Sequence, residues 1–453
     1  MNGMRAGPLV DTPGQSAEAA RVPDPMRRGY RRWVLGLLTS ATALNMLDRK
    51  IINILAEPIK RDLHLSDAQL GALTGLAFAL LYCTAALPIA RIADRGDRVK
   101  VLGFSILAWS VFTAISGAGM NFIQLFLSRV GVGIGEAGCQ PPAQSLIIDH
   151  FPPARRSSAL SVLMSGQSLG SAAGLVMGGF LGAWLGWRWT LALAGLPGLI
   201  IGGTVLGTLA DPRRHRVPGA RPATEPVRKV LGGLLRKPAF LLVSLGFGSV
   251  AVLAYTTTVF AGSFYLRVHG ADLTRLGASL DIAPLAMIGL GLGLFGSLGG
   301  AAGAIAGGVL GDRLGARDPR ALVWISAVGM LMATAGYVAM FTVRSAVLSL
   351  LLSAVATFFL NLFAGPGSLV LQRVAGQHAR ATALAVTTFI ASGIGQGIAP
   401  VATGMLSDTL GPRLGSGEGL RDAILASLIA GPLGAAAFAA AARTLVRDTA
   451  DET

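Results

Sequence analysis

Four ionisable side chains stand where a bilayer disfavours them. Asp48 and Arg49 lie inside the hydrophobic stretch from Trp33 to Lys60, beside Asn45, Lys50 and Asn53. Arg129 and Glu136 lie seven residues apart in the stretch from Gln124 to Asp149. A charge at mid-bilayer costs roughly 2.5–3.5 kcal/mol on insertion scales, so such groups face a wet cavity or an opposite charge and mark a pathway. Two chemistries follow. A carboxylate whose access alternates can take up and release a proton, and Arg49 or Arg129 can dock a phosphate or carboxylate headgroup through paired N–H donors.

The spacing sharpens the assignment. Arg129 and Glu136 share a helix face about 10 Å apart along the axis. Asp48 stands about 22 Å up a ~30 Å core and Arg129 about 12 Å below the opposite surface, which puts them level. Asp48 is therefore expected to pair with Arg129 and stay ionised. Glu136, flanked by Gly135, Ala137 and Gly138 with no cation on the adjacent turns, is expected to carry the proton.

These residues need helices across a membrane to hold them. The 453 residues are 52% hydrophobic and 13% charged with a mean hydropathy of +0.61, more apolar surface than a soluble fold could hide, so the chain reads as a polytopic membrane protein. The apolar runs are continuous rather than alternating, which excludes a β-barrel. At about 20 residues per crossing, twelve spans are expected: 32–59, 68–93, 99–119, 122–149, 156–182, 187–209, 239–268, 282–311, 320–342, 345–372, 380–408 and 420–446. The expected organisation is a cytoplasmic tail (1–31), a six-helix bundle (32–210), a linker (211–237), a second six-helix bundle (238–446) and a short tail (447–453).

The net charge of +15 does not imply nucleic acid. With loops on alternate sides, 27 of the 38 Lys and Arg residues fall on the side of the N-terminus and 8 opposite, with Arg49, Lys50 and Arg129 inside spans. This is the positive-inside pattern, with both termini cytoplasmic. The linker residues from Asp211 to Lys237, rich in Arg and Pro, read as a topology determinant against anionic membrane lipid. The first ~30 residues lack a signal-peptide core and read as disordered. Cys83 and Cys139 fall in expected spans as packing residues, and neither metal nor cofactor is expected.

The halves repeat. Ala90-Arg91-Ile92-Ala93-Asp94-Arg95 matches Gly308-Val309-Leu310-Gly311-Asp312-Arg313 at an offset of 218, and Pro142 to Leu160 parallels Pro366 to Leu384 at 224. Two halves in one orientation imply parallel repeats with a site at their interface. The Asp-Arg loops, the basic start of the fifth span and the two-times-six layout resemble the major facilitator superfamily over nearly the whole chain. Within it, Asn45-Met46-Leu47-Asp48-Arg49, Ala93-Asp94-Arg95 and the run from Arg129 to Ala137 resemble the Spinster-type lipid transporters. Two departures stand out: Ala90 replaces the glycine that starts the superfamily loop motif, and Leu175 stands where drug antiporters carry proline.

The resemblance implies that Asp94, Arg95, Arg98 and Asp149, repeated in Asp312 and Arg313, form a latch that sets conformational balance rather than touching substrate. It also implies alternating access of an amphipathic, anionic lipid, with the chain acting as a monomer; the carboxylates leave two accounts open, protons as the coupling ion or facilitated diffusion. A small organic solute or drug is the competing substrate class. In the second half, Tyr255, Thr258 and Asn361, with Phe260, Phe264 and Tyr265, are expected to present an aromatic, apolar wall to the lipid tail. Gly166, Gly170, Gly174 and Gly178 form a small-residue stripe for close packing that also suits rocking of one half on the other, and Gly393, Gly395, Gly397 and Gly404 suggest the same in the eleventh span.

Other classes fare worse. The chain has no Gly-x-x-x-x-Gly-Lys-Ser/Thr loop, no His-Glu-x-x-His and no Cys/His cluster, which excludes an ATP-driven pump. The Gly311-Asp312 pair resembles that of intramembrane aspartyl proteases, but it lies at a basic helix end and duplicates Asp94.

Overall fold

A computed structural model describes residues 28–215 and 227–450. Residues 1–27 and 451–453 of the expected tails and the middle of the linker, including Arg216 and Arg221, lie outside the described residues, as do the side chains of Cys83, Asp94 and Arg95; residues 28–31 and 447–450, expected in the tails, belong to the first and last helices. Among the described residues the chain is helical throughout, without strands. The helices are α1 (Arg28–Ile54), α2 (Ala56–Leu63), α3 (Asp67–Gly71), α4 (Ala77–Arg95), α5 (Arg98–Ser116), α6 (Phe122–Ala137), α7 (Gln140–His150), α8 (Pro153–Thr208), α9 (Val227–Leu235) and α10 (Pro238–Val268). They continue with α11 (Gly270–Leu280), α12 (Pro284–Gly291), α13 (Ser297–Gly315), α14 (Arg320–Thr342), α15 (Ala346–Asn361), α16 (Ala364–Ile390), α17 (Ala399–Leu414), α18 (Ser416–Ser427) and α19 (Ala430–Ala450).

Local chemistry sets the boundaries. Ser66 and Gln69 form a reciprocal capping box at the start of α3, Asp97 caps α5 and Asn121 caps α6, each satisfying N–H groups that open a helix. The 56-residue α8 is two helices joined at Gly186, whose φ of 76° only glycine adopts without strain. That break falls between the fifth and sixth expected spans. Gly376, at φ 68°, breaks α16 in the same way between the tenth and eleventh. Eight helices among the described residues are long and apolar enough to cross a membrane, whereas the charge-bearing α1 and α6 are not among them.

Three π-helical stretches, Ala72–Leu76, Leu292–Gly296 and Ala391–Ile398, interrupt the bundle. The second starts 220 positions after the first, so the internal repeat seen in sequence recurs as a shared irregularity. Carbonyls that a π turn leaves weakly bonded need partners in an apolar medium. One is met when the Thr357 hydroxyl donates to the Gly296 carbonyl at 2.9 Å.

The glycine stripe of α8 does not lie between the halves. Gly166, Gly170 and Gly174 abut the backbone carbonyls of Thr39, Ala43 and Leu47, and Gly178 abuts Ile51 and Ile54, so the stripe packs α8 on α1 within the N-terminal half. The seam between halves runs elsewhere. Gly179 meets Leu285, Gly289 meets Leu175, Gly71 and Gly75 meet Pro400 and Gln396, and Gly404 meets Asp67. Of the eleventh-span glycines, Gly404 thus faces the other half, while Gly395 packs on Ala251 of its own half. The expected rocking surface shifts accordingly: the face of α8 that packs on α1 and the face that meets α12 are adjacent, Gly174 and Gly178 on one and Leu175 and Gly179 on the other.

Candidate functional site: a buried charge cluster and a central cavity

Helix α1 presents two polar faces. Asn45 and Asp48 are three residues apart and turn into the N-terminal half, whereas Met46 and Lys50, four apart, turn toward the C-terminal half. On the first face Asp48 is 2% exposed and its Oδ2 accepts a hydrogen bond from the Thr113 hydroxyl at 3.3 Å. Glu136, 1% exposed, pairs through Oε2 with Arg49 Nε at 2.5 Å. The Arg49 guanidinium also lies 4.2 Å above the Phe78 ring. Arg129, 2% exposed, lies close enough to Asp48 and Glu136 to act on both electrostatically.

This corrects the assignment drawn from depth. Glu136 is not free of cations, because Arg49 reaches it across the helix pair. Asp48 instead is the carboxylate with no ion pair among the described residues. Helical depth gave the heights of these residues, and the rotation of α1 about its own axis, which depth does not constrain, chose the partners. The cluster also holds many polar atoms without a hydrogen bond: both side-chain atoms of Asn45 and Gln140, Asp48 Oδ1, Glu136 Oε1, and Arg129 Nε and Nη1. Buried polar atoms are ordinarily satisfied, so this group of open donors and acceptors sets the cluster apart from the rest of the helical core.

The second face opens on a cavity of about 390 Å³ between the halves, within the range of small-molecule sites. From the N-terminal half it is lined by Met46, Lys50, Gln167, Ser168, Ser171 and Leu175. From the C-terminal half its polar lining is Thr257, Thr258, Ser297, Tyr337, Ser353, Thr357 and Asn361. The expected Thr258 and Asn361 are there, but Tyr255 is half-buried and not part of the lining. Phe260, Phe264 and Tyr265 are not part of it either. They are fully buried within the C-terminal half, with Phe264 edge-on to Phe341 at 4.8 Å and the Tyr265 hydroxyl 2.7 Å from that of Ser349. The expected aromatic wall is thus a hydroxyl-rich wall. Asp48, Arg49, Arg129 and Glu136 lie behind α1, not in the cavity lining.

Of the expected latch, Arg98 and Asp149 come together at 2.7 Å. Arg98, 1% exposed, also holds Asp211 at 2.5 Å, and Arg213 reaches Asp149 at 2.9 Å. The network fastens the start of the linker to the N-terminal half. Hydrogen bonds from Arg98 and from the Arg213 amide hold Asp211 below the ordinary carboxylate range despite its burial. Asp312 and Arg313 are exposed and unpaired among the described residues.

At the face opposite the linker lies a network that the sequence reading missed. Arg267, at the end of α10, binds Glu57 at 2.6 Å and Asp67 at 2.7 Å. Lys60 also binds Asp67, at 2.5 Å. Asp408 accepts hydrogen bonds from the Asp67 and Ala68 amides at 2.8 and 2.9 Å, and Ser407 donates to Asp67 at 2.7 Å. These bonds join the two halves. Charges at helix ends read as solvated in a sequence; a signal was present only in the placement of Arg267 at the end of one span and Glu57 and Asp67 around the end of another.

The comparisons agree with this architecture. Residues 38–400 match the Major Facilitator Superfamily. The chain belongs to that superfamily. It is 36% identical over 395 residues, 86% of this chain and 88% of the relative, to a protein of Mycolicibacterium smegmatis named MFS-type efflux pump. It is 29% identical to spinster homolog 1 of Bos taurus over 58% of this chain and 53% of that protein. Among solved structures, a bacterial homolog of the human lysosomal transporter Spinster, inward-facing and unoccupied, superposes with a TM-score of 0.82 at 30% identity, covering 93% of this chain and 99% of the other. The chain is therefore a multi-pass membrane transporter of Spinster-like kind.

Proposed function

We propose that the protein is a secondary transporter moving an amphipathic lipid, a lysophospholipid or sphingoid-phosphate-like molecule, across a bacterial inner membrane by alternating access, with protons as the coupling ion. The observation that carries this reading is the cavity between the halves, which combines one cation, a hydroxyl-rich lining and apolar side chains such as Met46, Leu175, Leu292 and Met340. A polar end and a tail can each find a matching surface there. The buried carboxylates behind α1 supply proton-binding groups apart from the substrate, which is what coupling requires. With both termini cytoplasmic, the Arg267 network closes the external mouth and the cavity belongs to an inward-open arrangement.

A second reading, export of small organic solutes or drugs, is favoured by the 36% identity to a protein named as an efflux pump and by the absence of aromatic side chains other than Tyr337 from the cavity lining. Proteoliposome counterflow separates the two. Preloading with lysophospholipid should accelerate uptake of labelled lysophospholipid saturably, and an imposed proton gradient should drive it. Exchange stimulated by puromycin or ethidium but not by lysophospholipid would favour the second reading.

A further inference from the structure

We infer that Lys50 selects the charge of the substrate, so that the cavity takes a molecule whose polar end carries net negative charge. The inference rests on the cavity being the substrate site, as proposed above. Among the described residues Lys50 is the sole formal charge on the cavity lining, and no carboxylate joins it there. It also has no ion pair or hydrogen bond among the described residues. The nearest carboxylates on its own side of the protein are turned away: Glu136 is held by Arg49 and Asp48 by Thr113, both on the opposite face of α1. The neighbouring charge that acts on Lys50 is the like charge of Arg49.

The stem of Lys50 is supported. Its Cβ lies against Gly174 of α8, where an added Cβ would come within 2.9 Å of it, so the glycine makes room for the side chain between two helices. Gln167, Ser168 and Ser171, on the same wall, offer hydrogen bonds to the remaining oxygens of an anionic group. A cation at membrane depth without an acidic partner is stabilised by an anion that arrives and leaves. Arg49 and Arg129, the cations that sequence suggested for a headgroup, are committed to the cluster behind α1. The chemistry is that of a phosphate ester or a free carboxylate, whether on a lipid or on a free organic acid.

The test is equilibrium binding to the full chain purified in maltoside, with lysophosphatidylglycerol (anionic), lysophosphatidylcholine (zwitterionic), sphingosine (cationic) and glycerol 3-phosphate (anionic, without a tail). The wild type should prefer lysophosphatidylglycerol to the other two amphiphiles. Lys50→Gln should weaken it by about tenfold or more, as loss of a charge-assisted hydrogen bond implies, and Lys50→Arg should retain it. Lys50→Glu should reverse the order in favour of sphingosine, a gain that a misfolded protein cannot produce. Glycerol 3-phosphate binding as well as lysophosphatidylglycerol, and equally lost in Lys50→Gln, would support Lys50 with a free anion as the source. Equal wild-type affinity for all three amphiphiles, or an unchanged order in Lys50→Glu, overturns the inference. Thr258→Trp, which fills the cavity, separates this from the underlying reading. If it leaves lysophosphatidylglycerol binding untouched, the cavity is not the site; if it abolishes binding that is charge-blind, only the role of Lys50 falls.

Discussion

At the scale of single residues, the geometry divides the two buried carboxylates by their partners. Glu136 is half of an ion pair whose other half, Arg49, stays charged, so protonating or neutralising Glu136 removes an anion that Arg49 pairs with. Removing one partner of a buried pair typically costs about 3–5 kcal/mol. We expect Glu136→Gln to lower the melting temperature of the purified protein markedly, and Arg49→Met in the same background to restore part of the loss. Asp48 accepts from the Thr113 hydroxyl, keeps Oδ1 open and has no ion pair among the described residues, so a proton there breaks no ion pair among them. Asp48→Asn should therefore abolish the response of transport to an imposed proton gradient while sparing lysophospholipid binding. An Asp48→Asn protein with wild-type gradient response in proteoliposomes would move the coupling role back to Glu136.

Between elements, the decisive contact is that of the α10 end with the α1–α3 corner. Burial pushes the Asp67 carboxyl up, but the hydrogen bonds and charge of Arg267, with Lys60 and Ser407, outweigh it and bring it down to about 2 from 3.8. A group lowered in the closed arrangement stabilises closure above its ordinary pKa and loses that contribution as pH falls through its lowered value. The network should thus be intact from pH 7 down to about 4 and weaken only toward pH 2. The proton coupling proposed above would then act elsewhere at physiological pH. Spin labels across this face should report the same distances at pH 7 and pH 5 in the wild type, and longer ones in Arg267→Ala. A wild-type opening at pH 5 would contradict the assignment.

Over the whole molecule, alternation requires the halves to part at this face and meet at the other, and the seam shows where they touch. Gly404 stands against the Asp67 backbone and Gly71 against the Pro400 carbonyl, so any Cβ there runs into main chain that cannot rotate aside. Overpacking of this kind costs about 1–3 kcal/mol, borne only by the arrangement in which the two helices meet. Because a perturbation shifts an equilibrium only through states it affects differently, Gly404→Ala should favour the opposite arrangement. Gly170→Ala should behave differently, since Gly170 packs α8 on α1 within one half. It should lower stability without changing the balance. Labelling of a cysteine placed at Ala261, on the cavity wall, from each side of reconstituted vesicles would distinguish the two outcomes.

Much of this was legible in sequence because it rests on composition and period. Apolar runs gave the membrane fold, repeated loop motifs gave the two related halves, and Gly186 and Gly376 fall where breaks between spans were expected. Asp48, Arg129 and Glu136, singled out in sequence as charges that need partners, are buried in the fold. What sequence left open was every property that depends on how a helix is turned and what stands opposite it. Rotation of α1 sent Glu136 to Arg49 rather than leaving it without a cation, and turned Lys50 alone toward the cavity. The aromatic residues of α10 went inward to the core because a ring fits between helices as readily as it lines a cavity. Arg267 found Glu57 and Asp67 some two hundred positions away in the chain. A pairing over that distance leaves no local period to read, so only the packing of the two halves decided it.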